Sequence, residues 1–440
     1  MNAAPQLIER PWLPAPSKAR VRALAQATAA SSLRELESAF AEATEQNRRL
    51  HEHGAINLNP ASNVMNPRAE ALLAGSLGTR PSLGYPGSKH EMGLEAIERI
   101  EVMTQELAAQ VFDCGYVEYR APSGTLANLC AFMALAKPGD TLLAPPASIG
   151  GHASHLAHGT AGRYGLRVVE MPVDAQRYAI DVDALRAVAR RECPALISVG
   201  GSMNLFEPAL IKIRQIADEV GAKLLFDAAH LAGLIAGGAW PNPLANGAHL
   251  MTLSTYKSLA GPPASLILTD DAEIARQLEE AVFPGLTANF DVAKTAALGV
   301  CLLDWQALGR AYADRMKICA LALARELEQR GVNVFAARHG ATQSHQLAVV
   351  PEGLDGRGAA VLLGRAGLLA SAIGLPLTGG ANAGVRLGTP EIVRWGMSTE
   401  DMPELASYIG DVLMARRAVA DVAADVEAMK RRFQTLHFIR

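Results

Sequence analysis

The sequence is poor in the residues that build disulfide or zinc scaffolds. Its five cysteines (Cys114, Cys130, Cys193, Cys301, Cys319) are odd in number, far apart and free of any C-x-x-C pair. That arrangement excludes a disulfide framework, gives no metal motif, and fits a reducing, cytoplasmic compartment. Charge of one sign is also lacking: Lys+Arg 41 and Asp+Glu 44 are interspersed and leave a net charge of -3. Neither nucleic acid nor an anionic membrane is therefore expected as a partner. No stretch approaches the about 18 uninterrupted apolar residues of a transmembrane helix. The start, MNAAPQLIER, lacks the basic beginning and following apolar run of a signal peptide. What the chain does have is 50% apolar residues over 440 positions, with Gly 39 and Pro 24 spread along it. That is ample material for a large core, and it leaves small-molecule chemistry as the expected class of function.

The pattern along the chain divides it into three parts. Residues 1–75 read as an N-terminal arm with one or two helices over 18–53, where Val21, Leu24, Leu33, Leu36 and Phe40 recur at helical spacing. Over residues 76–305, helix-like stretches at 95–112 and 125–136 accompany short apolar runs at 195–199, 223–226, 249–253 and 265–268. Runs of strand length bounded by Gly, Pro and Asp and separated by helices predict an α/β domain with a mostly parallel sheet covered on both faces. Residues 306–440 read as a smaller α+β domain. It closes with one long helix carrying Val412, Val419, Val422, Val426, Met429 and Phe433 on one face. No Gly-x-Gly-x-x-Gly turn stands at a strand-to-helix junction, which argues against a nicotinamide-dependent oxidoreductase.

Ligands in such sheets collect at the carboxyl ends of strands, and two runs end there on chemically useful residues. Asp227 closes LLFD, and Lys257 follows HLMTLS among the hydroxyls of Ser254, Thr255 and Ser258. A lysine so placed can form a Schiff base with an aldehyde cofactor, and pyridoxal 5'-phosphate is the obvious one. That cofactor needs a carboxylate at its pyridinium nitrogen, which Asp227 on a neighbouring strand can provide. Taken singly, Asp227 could equally cap a helix and Lys257 sit in solvent. Ser123-Gly124-Thr125, opening a helix, offers hydroxyls and backbone N–H groups to a phosphate, although Ser and Thr are also ordinary caps.

Several segments together resemble the serine hydroxymethyltransferase family of fold-type I pyridoxal-phosphate enzymes. They run in the family's order: INLNPASN at 56–63, GYPGSKHEMGLEAIERIE at 84–101, PSGTLANL at 122–129, GGHASH at 150–155, the 224–268 stretch, and GVRLGTP at 384–390. The resemblance implies an aspartate-aminotransferase-like fold, with Lys257 as the Schiff-base lysine, Asp227 as the pyridinium partner and His152 stacked on the cofactor ring. It implies cofactor contacts from Ser123, Gly124, Thr125, Ser202, His230 and Ser254, with His230 also catalytic. Arg386 would bind the substrate carboxylate, a task suited to a planar guanidinium. Family members form homodimers or dimers of dimers, so a homo-oligomer is implied.

The chain departs from the family at the positions that handle the carbon unit. Leu83 stands where the family has a glutamate and Pro81 where it has a tyrosine, and a leucine transfers no proton. His90 and Glu91 are candidates for the missing acid/base group. The earlier Ser-Glu-Asn reads Ala61-Ser62-Asn63, Tyr256 replaces histidine before the lysine, and Ile373-Gly374-Leu375 replace polar residues that face the folate pterin. Tetrahydrofolate is therefore in doubt, whereas pyridoxal phosphate is not. The implied activity is retro-aldol chemistry on a β-hydroxy-α-amino acid of the serine/glycine hydroxymethyltransferase type. The alternatives are a folate-independent aldolase or transaldolase acting on threonine or α-methylserine, and a non-catalytic cofactor-binding descendant.

Overall fold

The computed structural model describes residues 4–377 and 383–440, and these residues fall into two compact units, 1–55 and 56–440. In the first unit, helix α1 (Ala15–Ala30) starts behind Pro14, and helix α2 (Leu33–Arg48) starts from a capping box formed by Ser32 and Glu35. Neither helix buries a residue. These are the two arm helices expected over 18–53.

The second unit is built on a seven-stranded sheet. Its strands are β1 (Tyr116–Glu118), β2 (Thr141–Ala144), β3 (Arg167–Glu170), β4 (Leu196–Gly200), β5 (Lys223–Asp227), β6 (Leu250–Ser254) and β7 (Ser265–Thr269). They lie in the order β1-β7-β6-β5-β4-β2-β3, and only β7 runs antiparallel to its neighbours. The expected α/β architecture with a mostly parallel sheet is present, and the four apolar runs are β4 to β7. Helices α3 (Glu95–Phe112) and α4 (Gly124–Leu135) match the two helix-like stretches within one residue at each end.

Strand alternation decides what each face receives. In β5, Leu224 and Phe226 join the larger core, while Leu225 packs with Ala127, Cys130 and Ala131 of α4 beneath the opposite face. Asp227 is two residues beyond Leu225 and so emerges on the α4 side. By the same count Ser198 follows Leu196, and Thr252 and Ser254 follow Leu250, all onto that face. A row of polar side chains is thereby set at the carboxyl ends of three adjacent strands, with Asp227 in register with Gly200 and Thr252.

Toward the C-terminus, a second sheet has β8 (Gln346–Val349), β9 (Ser371–Ile373) and β10 (Gly384–Gly388) in the order β8-β10-β9, all antiparallel. Helix α5 (Val292–Gln329) runs unbroken through residue 305, the end of the large domain in the sequence reading. One expectation is corrected: the long C-terminal helix is two helices, Met402–Leu413 and Val419–Lys430. The break lies at Ala415, which takes a left-handed φ of 51° as Arg416 N–H turns back onto the Asp411 carbonyl at 2.9 Å. Phe433 lies beyond the second helix, half-buried.

The loop that carries Leu83 is fixed by a buried ion pair. Lys89 Nζ donates to Glu101 Oε2 at 2.7 Å and to the Gly84 carbonyl at 2.9 Å, while Ser82 Oγ donates to Glu101 Oε1 at 2.5 Å. Removing one member of a buried pair strands the other charge, which costs more than the pair itself contributes. Glu101→Ala is therefore expected to lower stability by roughly 3–5 kcal/mol, as measured by chemical denaturation; a loss within experimental error of zero would show that the pair does not hold this loop.

Candidate active site

The polar row under α4 forms one wall of a pocket with about 390 Å³ of empty space. Ser123, Gly124, Thr125, His152, Ser202, Asp227, His230, Ser254 and Lys257 all line it. Of the residues expected to bind cofactor or substrate, Arg386 is outside the lining, and it reaches the pocket's rim through Ser202 and His230.

Asp227 is the anchor. Its Oδ2 accepts from His155 Nε2 at 2.9 Å and from Asn128 Nδ2 at 3.0 Å, and its Oδ1 accepts from the Ala229 N–H at 3.0 Å. Burial alone would raise the carboxyl's pKa, but the hydrogen bond and charge of His155, with His152 and Ala229 adding to them, hold it well below the usual carboxylate range. His155 is oriented from behind by Ser198 Oγ, 2.9 Å from Nδ1, and by Phe132, whose ring meets it edge-on. Asn128 is fixed just as firmly: Thr252 Oγ1 donates to its Oδ1 at 2.7 Å, which leaves its two N–H bonds for Asp227 and for Ser154 Oγ at 2.9 Å. Ser154, in turn, passes its hydroxyl proton toward His152 Nδ1 at 2.7 Å and donates its N–H to the same nitrogen at 3.2 Å. His152 Nδ1 is thus an acceptor and Nε2 carries the proton. Burial, and then the charge of Lys257, lower the His152 pKa against the pull of Asp227, so the ring is neutral.

Sequence reasoning passed over Asn128, His155, Ser154, Ser198 and Thr252. Two signals were available: the His-x-x-His spacing in GGHASH, and polar residues two positions after the buried Leu196 and Leu250 in otherwise apolar strands. Neither names a partner, because the partners come from different strands and from α4.

Lys257 is buried, and its Nζ has no hydrogen bond or ion pair among the described residues. Burial lowers its pKa to about 8, with Asp227 opposing the shift and Arg386 reinforcing it. Arg386, 6% exposed, has no carboxylate partner among the described residues. Its Nη1 donates to the Ser202 carbonyl and faces His230 Nε2 at 3.3 Å, and Ser371 Oγ accepts from both Nε and Nη2. Burial pulls the guanidinium down to about 10. His230, wedged between Arg386 and Gln346 Nε2, is pushed well below its ordinary value by burial and by the charges of Lys257 and Arg386.

The pocket therefore holds two unpaired cationic groups and a short helix-capped cradle, an arrangement that receives an anionic ligand. Ser123 Oγ caps α4 through the Leu126 N–H, and the helix's first amides open beside Gly124 and Thr125. A Cβ at Gly124 would come within 2.6 Å of Ser254 Oγ and force that hydroxyl to turn away. Among the described residues, no three His, Cys, Asp or Glu side chains gather to hold a metal ion. His90 and Glu91 do not line this pocket: the Glu91 carboxylate accepts from the Leu83 N–H at 3.3 Å, and the His90 ring faces Phe283. In this chain the Glu91 carboxylate turns back onto its own loop and the His90 ring meets Phe283, so neither side chain enters the pocket that this chain forms by itself.

The model of the family described as serine hydroxymethyltransferase matches residues 33–409. The chain belongs to the serine hydroxymethyltransferase family. An α-methylserine aldolase of Ralstonia sp is 52% identical over 435 residues, covering 98% of this chain and 99% of the relative. One of Variovorax paradoxus is 51% identical over 440 residues, covering 99% of each. A serine hydroxymethyltransferase of Pyrobaculum islandicum is 37% identical over 387 residues, covering 87% of this chain and 90% of the relative. The crystal structure of L-threonine transaldolase from Pseudomonas fluorescens superposes with a TM-score of 0.86 at 23% identity, over 92% of this chain and 94% of that one. The fold is accordingly the fold-type I architecture of this family, and the protein is an enzyme.

The buried neutral histidines set a pH limit on stability. His345 is held down to about 3 by burial and Arg386, and His230 and His152 are also lowered from 6.5. Below pH 6.5 the unfolded chain takes up protons that the folded chain refuses, so stability is complete above 6.5 and is lost as pH falls. Each histidine adds a slope of up to about 1.4 kcal/mol per pH unit, and Asp227 adds its own loss only below its ordinary 3.8. Urea titrations between pH 7 and pH 4 are expected to show this decline; flat stability across that range would mean that these rings are not buried neutral.

Proposed function

We propose that this protein is a pyridoxal-phosphate-dependent, folate-independent aldolase that cleaves α-methylserine to alanine and formaldehyde. The bond broken is Cα–Cβ: the β-hydroxyl loses its proton, formaldehyde departs, and Cα gains a proton, so atoms balance. The observation that carries this reading is the apolar packing of Ile373 and Leu375 on either side of Gly374. In the family these positions are polar and face the pterin. Here Ile373 and Leu375 are buried with Ile149, Met203 and Phe335, and Tyr178 Oη donates to the Gly374 carbonyl at 3.3 Å. Positions 373 and 375 therefore carry no polar side chain to hydrogen-bond a pterin's polar edge. The neighbouring residues 378–382, part of the same stretch singled out in the sequence, lie outside the described residues.

The chain's residues fit pyridoxal phosphate. Asp227 would face the ring nitrogen, Ser123, Gly124, Thr125 and Ser254 the phosphate, Ser202 and His230 the rim beside it, and His152 the ring face, with Lys257 as the amine that carries the cofactor. Bound there, the cofactor supplies an electron sink conjugated to the substrate's Cα. Arg386 binds the α-carboxylate, since it is the one buried guanidinium at the rim without an acid of its own. Lys257, with its pKa near neutrality, can take and return a proton at working pH. Asp227 is the only carboxylate lining the pocket among the described residues, and its three hydrogen bonds keep it ionised. Proton transfer at the β-hydroxyl therefore falls to nitrogen and phenol groups, of which His152, His230 and Tyr256 line the pocket.

The strong identity to two named α-methylserine aldolases over nearly the whole chain supports the substrate. A cytoplasmic site of action agrees with five free cysteines, and a homo-oligomer agrees with the exposed Met92, Val102 and Met103 near the loop that carries Leu83. The division into a large domain to residue 305 and a small one beyond is part of the same proposal.

The test is formation of the product amino acid, alanine from α-methylserine and glycine from L-serine or L-threonine, each with and without tetrahydrofolate. Turnover of α-methylserine unaffected by folate is expected. Serine cleavage that requires folate, with α-methylserine inert, would make the protein a hydroxymethyltransferase instead.

A further inference from the structure

Arginine presents two edges to a carboxylate: a side edge formed by Nε and Nη2, and an end formed by Nη1 and Nη2. In this structure the side edge of Arg386 is already taken. Ser371 lies directly across the sheet from Arg386 in the β9–β10 register, so the two side chains share a face. Its Oγ accepts from Nε at 3.3 Å and from Nη2 at 3.1 Å. Nη1 is tied to the Ser202 carbonyl and faces His230 Nε2. Of the five guanidinium N–H bonds, only the second one on Nη2 has no partner among the described residues, and it points to the end. The Nη1 contact to His230, at 3.3 Å, is as long as the Nε contact to Ser371, and a carboxylate arriving at the end would share or replace it.

We infer that Ser371 is a positioning residue for substrate recognition: it occupies the side edge of Arg386 and so makes the guanidinium receive the α-carboxylate end-on. A hydroxyl suits this task because it accepts two N–H bonds without neutralising the cation. An acid there would form an internal ion pair that competes with the substrate, and an alanine would leave two buried donors unpaired and the guanidinium free to swing. Ser371 is not among the residues that line the pocket, and its side-chain hydrogen bonds among the described residues go to Arg386. The inference rests on the assignment of Arg386 to an amino-acid carboxylate.

The test uses the cofactor-loaded protein and its Ser371→Ala, Ser371→Thr and Ser371→Asp variants. Calorimetric binding of alanine is compared with that of alaninol, which has the same amine and no carboxylate, alongside KM and kcat for α-methylserine and an unfolding midpoint for each variant. Ser371→Ala is expected to weaken alanine binding and raise KM by about 10- to 100-fold, the range for hydrogen bonds to a charged group. Alaninol binding and kcat should move less than about twofold. Ser371→Thr, which keeps the oxygen, should restore most of the affinity, and Ser371→Asp should weaken alanine binding further. The inference is overturned if Ser371→Ala binds alanine as tightly as the parent, or if alanine and alaninol weaken equally. If the parent binds alanine but cleaves no β-hydroxy amino acid, the proposed reaction fails while the alanine and alaninol comparison still decides the role of Ser371.

Discussion

The hydrogen bond from His155 to the buried Asp227 carboxylate is the contact on which the rest of the pocket depends. An unpaired carboxylate in that position would take a proton, because desolvation favours its neutral form. His155 and Asn128 reverse that preference, and each is held by a strand-end hydroxyl, Ser198 in one case and Thr252 in the other. Asn128 also continues through Ser154 to His152, so the acid below the pocket and the imidazole beside it are fixed by one connected set of bonds. In such networks every member is satisfied by another, which gives rigidity and a single arrangement.

Opposite this anchor the pocket is electrostatically unfinished. Lys257 and Arg386 are both buried, both depressed from their ordinary values, and neither has an anionic partner among the described residues. Burying cations without partners is destabilising in the free protein, and a bound anion removes that penalty. The cost is the physical form of the site's affinity for a phosphate-bearing cofactor and an amino-acid carboxylate. Under the proposed function, the apolar packing of Ile373 and Leu375 is what separates this chain from the folate-using pattern that its motifs otherwise follow.

Much of this was legible in the sequence. The apolar runs at 195–199, 223–226, 249–253 and 265–268 are strands β4 to β7, helix α3 has the boundaries that its spacing predicts, and Asp227 and Lys257 stand at the strand ends where an α/β sheet collects its ligands. The collinear motifs supplied the family. What was not legible depended on three-dimensional partners. Asn128 reads as one more polar residue in an apolar helix until β5 and β6 are placed beneath it. Ser371 has no signal before the β9–β10 register sets it against Arg386. The single C-terminal helix failed for a local reason: the apolar spacing continues across 414–418, but Ala415 takes a left-handed conformation that periodicity does not report.

The central claim is that this pocket seats pyridoxal phosphate on Lys257 above an ionised Asp227. It is tested most directly by the visible absorption spectrum of the purified protein after addition of pyridoxal phosphate and removal of the excess, with Lys257→Ala in parallel. A retained visible band in the parent protein that is absent from a folded Lys257→Ala variant is the predicted result. A parent protein that retains no band, or a variant whose band is unchanged, would contradict it.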